Sequence, residues 1–95
     1  MAVRAKFKVQ RIEATQHNRA KAGPDGKPNY QDVEAVEMRT VVLSPVYGNG
    51  DPAHENTKFW EQSPSGEIKI GTINRAAWEA FELGQEFYVD FTPAE

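Results

Sequence analysis

The side chains best equipped for chemistry are two histidines and their acidic neighbours. In "GDPAHEN", Asp51, His54 and Glu55 offer two carboxylates and an imidazole within residues 51–55. Oxygen and imidazole donors so close together are the raw material of a metal site. The same stretch is rich in Gly, Pro and Asn, however, and such loops are more often simply solvated, so no metal is expected. His17 stands alone in a polar segment. General acid–base catalysis needs paired groups in a concave site. Glu37, Glu61, Glu67 and Asp90 have no spacing that pairs any two of them. Ser44, Ser63 and Ser65 each adjoin a proline, and no G-x-S-x-G occurs. "GNGDP" lacks the following helix and Lys-Ser/Thr of a phosphate-binding loop. The chain has no cysteine, which excludes disulfides, thiolate metal sites and Cys nucleophiles. These residues describe a protein that is not an enzyme and uses no cofactor.

Binding is the remaining chemistry. A single-stranded nucleic-acid site combines a basic row with aromatic stacking faces. Arg4, Lys6 and Lys8 form such a row, and Tyr30, Tyr47, Trp60 and Tyr88 could stack. Outward lysines also guard an edge strand, and small barrels fill their cores with aromatics. Nucleic-acid binding is therefore the third choice, behind protein contact. Residues 1–30 hold seven basic groups and two acidic ones, whereas residues 41–95 hold three basic and nine acidic. With a net charge of −3, complementary patches pairing within or between molecules explain this split better than a nucleic-acid face does. Trp60, Tyr47 and Tyr88, with Lys6, Lys8 and Arg11, are the interface candidates.

The elements that must position these groups fit one domain of 95 residues. A chain of this size has a thin core, which oligomerisation would help. "MAVRAKFKVQ" has no apolar h-region and does not read as a signal peptide. No stretch approaches the roughly 20 apolar residues of a membrane span. Residues 3–9 alternate Val3, Ala5, Phe7 and Val9 against Arg4, Lys6 and Lys8, which predicts a half-buried strand. Ile12 falls out of phase, the mark of a bulge or a strand end. Residues 14–32 lack an apolar period and carry Pro24-Asp25-Gly26 and Lys27-Pro28-Asn29, so a long exposed loop is expected. A second strand covers 33–47, with Val36, Met38, Thr40 and Val42 inward.

Residues 56–61 and 67–73 are expected to pair as a hairpin about the turn "SPSGE", with Phe59 inside and Trp60 outside. "INRAAWEAFELG" predicts the one short helix. Asn74 is its N-cap, Ile73 and Trp78 form a staple, Ala77, Trp78 and Phe81 make its stripe, and Gly84 stands beyond its end. Residues 86–91 form the last strand, with Phe87, Val89 and Phe91 on one face. The order β-β-β-β-α-β predicts a mostly β fold, a small five-stranded, partly open barrel of SH3-like connectivity. The alternative is an α+β sheet with its helix packed on one face.

One longer pattern stands out. It runs through Pro45-Val46-Tyr47, Glu55-Asn56 with Phe59, Ser63-Pro64-Ser65-Gly66 and Asn74, and ends on the strand from Gly84 to Ala94. With "RAKFKVQRIE", it resembles a widespread family of small, mostly uncharacterised bacteriophage and prophage proteins. Residues 14–32 depart from that pattern by their length. The resemblance implies a phage origin but no activity and no binding residues. The function expected is protein–protein contact as a virion component, a capsid decoration or connector, present in the host cytoplasm or the particle, with itself (as a homo-oligomer), other virion proteins or a host protein as the partner. The alternative is a phage-encoded inhibitor that binds a host protein or ligand.

Overall fold

The computed structural model describes residues 3–95. It is mostly β: a four-stranded antiparallel open sheet with two short helices, in which the first two strands lie side by side at the centre and the third and fourth form the edges beside the second and the first respectively. The strands are β1 (Val3–Ala22), β2 (Pro28–Pro45), β3 (Ile68–Thr72) and β4 (Glu86–Phe91). The helices are α1 (Glu55–Trp60) and α2 (Arg75–Trp78). The sheet runs in a line from edge to edge, so the expected five-stranded barrel is replaced by four strands.

The core lies on one face of the sheet. Ala5, Phe7, Val9, Val41 and Leu43 are buried together, with Ile12, Trp60, Ile68, Phe81, Phe87 and Val89 packed against them. The alternation in residues 3–9 places its apolar row here. Ile12 rejoins that row because the β1–β2 register shifts between Val9 and Arg11, a bulge that reverses the phase of the strand. The phase expected for β2 is corrected: Val41 and Leu43 face this core, putting Val36, Met38, Thr40 and Val42 on the opposite face. Val42 is nonetheless buried there.

Two expected elements are overturned. Residues 14–32 are not a loop. They extend β1 and β2 into one long hairpin that closes at Gly23–Lys27, where Gly26 has φ 79° and donates to the Gly23 carbonyl. Ala, Gln, Asn and Lys are weak strand formers, so period-2 apolarity could not reveal this extension. Residues 56–60 are helical rather than a strand, with Glu61 as the left-handed C-cap, and residues 63–67 link α1 to β3 instead of closing a hairpin.

The reason for α1 lies in Asn56. After Pro45, β2 leaves β1: the Val46 amide still donates to the Lys6 carbonyl at 3.0 Å, but the Lys6 amide and the Val46 carbonyl no longer meet. The Asn56 side chain bridges them. Its Oδ1 accepts from the Lys6 amide at 2.7 Å, and its Nδ2 donates to the carbonyls of Lys6 at 2.8 Å and Val46 at 2.6 Å. Asn56 has no exposed surface. His54 caps α1, its Nδ1 accepting from the Asn56 amide at 3.0 Å. Gly48 lets this turn come close, since a Cβ there would stand 2.6 Å from Thr57 Oγ1.

Asn74 caps α2 as expected, accepting from the Ala76 amide at 3.1 Å. The helix is shorter than the sequence suggests. The Gly84 amide donates to the Val9 carbonyl rather than closing a helix end, which starts β4 beside β1. Asn56→Ala strands buried backbone groups of Lys6 and Val46, and each unmet group costs about 1–3 kcal/mol. The variant should lose about 2–4 kcal/mol, read as a lower urea midpoint, while Asn74→Ala at the exposed cap loses about 1 kcal/mol.

Candidate functional site

The most prominent surface is the hairpin beyond the core. From Glu13 to Glu37 the ribbon has exposed or half-buried residues on both faces. The molecule measures 57 × 33 × 19 Å, with a radius of gyration of 17.9 Å. A compact domain of this length would have a radius near 12 Å, so the ribbon projects as an arm. Cross-strand ion pairs brace it: Arg19 binds Glu34 at 2.6 Å, and Lys21 lies 3.8 Å from Asp32. The guanidinium of Arg19 holds the Glu34 carboxyl below its ordinary range. Tyr30, near the tip, is 81% exposed. No apolar period in residues 14–32 marks this segment as strand, although its length is unusual for a loop.

The structure disperses the expected interface residues. Trp60 is not outside. Its indole packs edge-on to Phe7, with centroids 6.1 Å apart, and Nε1 donates to the Ser65 carbonyl at 3.0 Å. It closes the core, while Phe59 is the more exposed of the two. On a helix, unlike a strand, neighbouring side chains need not face opposite ways, so alternation gave the wrong assignment. Tyr47 is exposed beside a cleft lined by Gly48, Thr57, Glu61 and Pro64. Arg11 sits at the bulge and binds Glu13 at 2.7 Å.

Lys6, Lys8 and Tyr88 do share a face, on the side of β1 and β4 away from the core. There the basic row meets acids from β4. Arg4 grips Asp90 through two hydrogen bonds of 2.7 and 3.2 Å, and Lys6 lies 3.8 Å from Glu86. The Tyr88 ring lies beneath both cations, 4.7 Å from the Arg4 guanidinium and 5.2 Å from Lys6 Nζ. The Arg4 hydrogen bond keeps the Asp90 carboxyl below its usual range. Much of the opposite charge of the two chain ends is therefore satisfied within one molecule. Glu55 is also lowered, chiefly by its own backbone amide and then by the Tyr88 hydroxyl.

Three further exposed apolar residues, Val3, Phe59 and Phe91, gather at the open end of β1 and β4. Val3 pairs in register with Phe91, and Phe59 lies 6.2 Å from the Phe91 ring. Among the described residues, no three His, Asp or Glu side chains gather as metal ligands. Asp51 instead accepts from the Ala53 amide, and His54 serves as the helix cap.

Asp90 is bound to Arg4 more strongly when ionised, so its contribution is present above the unfolded carboxylate range and is lost as pH falls through the depressed folded value. An NMR titration should place the Asp90 midpoint below that of an ordinary aspartate, and Arg4→Ala should return it to the ordinary value. No protein-family model, no curated protein and no solved structure matches this chain.

Proposed function

We propose that this chain is a non-enzymatic phage protein that works by protein–protein contact through its projecting arm, as a structural component of the virion such as a capsid decoration or connector. The arm is the observation that carries the reading. A two-stranded ribbon standing off a core is at best marginally stable in water, and an apolar core gains nothing from it. Its exposed faces and edges give a neighbouring subunit something to hold. The phage-like pattern from Pro45 to Ala94 supports the setting.

Nucleic-acid binding is less well supported. Arg4 and Lys6 already face Asp90 and Glu86, and Arg19 and Lys21 on the arm face Glu34 and Asp32. A strand of phosphates would have to displace those carboxylates. Capture of a host protein, the inhibitor reading, rests on a different observation, the apolar cluster of Val3, Phe59 and Phe91.

Two variants separate these readings. In the first, an Asn-Gly turn between Thr15 and Met38 replaces residues 16–37, and circular dichroism should show that the remaining domain still folds. Mass spectrometry of purified particles should find the full-length chain and lose the armless one. Absence of the full-length chain from particles overturns the virion assignment. In the second, Phe59→Ser should leave incorporation unchanged, whereas host-protein capture would make this variant the defective one.

A further inference from the structure

The arm has two open edges, and only one of them is complementary to itself. On β1 the neighbour β4 pairs from Val3 to Lys8 only, and Gly84 and Gln85 extend contact to Val9. Beyond Arg11 that side of β1 faces no strand among the described residues. Lys6 directs its amide and carbonyl toward the β2 side, and Val9 directs both toward β4. Carried through the bulge, this alternation leaves the amides and carbonyls of Ala14, Gln16, Asn18 and Ala20 facing away from β2. A run of such groups is a template for another strand.

Read in both directions, the edge is nearly a palindrome. Ala14, Gln16, Asn18 and Ala20 run small, amide, amide, small. Glu13 at one end is matched by Lys21 at the other. The β2 edge offers no such match: paired about Ala35, Glu34 would face Val36 and Glu37 would face Val33, with no opposite charge for either, and pairing about Val33 would set Asp32 against Glu34.

We propose that two copies of this chain pair antiparallel through the β1 edges of their arms, about a two-fold axis at His17, forming a continuous four-stranded ribbon with a body at each end. The proposal rests on the reading of the arm as a contact element and names its partner. In this register Ala14 meets Ala20 of the second copy and Gln16 meets Asn18. On the other face Thr15 meets Arg19, and Glu13 meets Lys21 twice by symmetry. The contact is isologous and closes on itself, which a two-fold dimer requires. It raises the arm from two strands to four, above the number that is marginal in water.

The test uses the full chain. Sedimentation velocity should show a wild-type dimer. Glu13→Lys or Lys21→Glu alone should weaken it by about tenfold, since each places like charges opposite one another twice, and the double exchange should restore it. The chain has no native cysteine, so single introduced cysteines report the register. His17→Cys should cross-link rapidly to itself under mild oxidant, because a non-hydrogen-bonded antiparallel pair holds its Cα atoms about 4.5 Å apart, within disulfide range. Thr15→Cys should not, since its two copies would stand about 13 Å apart along the strands. Equal cross-linking of both variants, or failure of the double exchange to restore the dimer, overturns the register. A monomeric wild type overturns self-pairing altogether. If that monomer still enters particles through its arm, the broader proposal stands without this one.

Discussion

The fold depends on how β1 is completed where β2 abandons it. Val46 makes the last amide-to-carbonyl bond of the pair, to Lys6, and its own carbonyl then turns away from the Lys6 amide. The Lys6 amide and the Val46 carbonyl would then be left without partners beneath α1. A side-chain amide carries the same donor and acceptor as a peptide group, and Asn56 supplies both. Several other features follow. The helix must begin at Glu55 to aim Asn56 at the ladder, His54 caps it, and Gly48 leaves room for it. Trp60 then falls over Phe7 and closes the core. One buried amide thus fixes the position of the helix, the lid of the core and the path of the chain from β2 to β3.

The second constraint is the bulge between Val9 and Arg11. An unbroken alternation would send Ile12 to the face opposite Val9. The extra residue restores Ile12 to the core face and carries the strand onward as an arm. From there the ribbon has little apolar surface to bury, and cross-strand ion pairs and the turn at Gly23–Lys27 organise it. These exposed pairs contribute modestly, on the order of 0–1 kcal/mol each. The arm is thus held by its turn and these pairs rather than by a core of its own.

Electrostatics within one molecule also bear on function. The basic start and acidic end of the chain come together because β4 returns antiparallel beside β1. Arg4 meets Asp90, Lys6 meets Glu86, and Tyr88 lies under both cations. What looks in the sequence like a positive strand seeking a partner is largely an intramolecular pairing. The arm keeps its own mixture of charges, ordered along β1 from acidic to basic.

The sequence by itself determined the strands whose residues alternate and are half-buried: Val3 to Val9, the second strand through Leu43, and Glu86 to Phe91. It also determined the Asn74 cap and the break in phase before Ile12, because local chemistry suffices for each. It could not show the arm, whose strands have no buried face and so leave no apolar period. It misjudged residues 56–61, where Thr57, Phe59 and Trp60 favour a strand. Helix won there because the amide of Asn56 had to reach Lys6, fifty residues away in the chain. Tertiary structure alone decided which of Phe59 and Trp60 closes the core and which charges find each other. Both depend on distant segments meeting, and spacing along the chain carries no record of that.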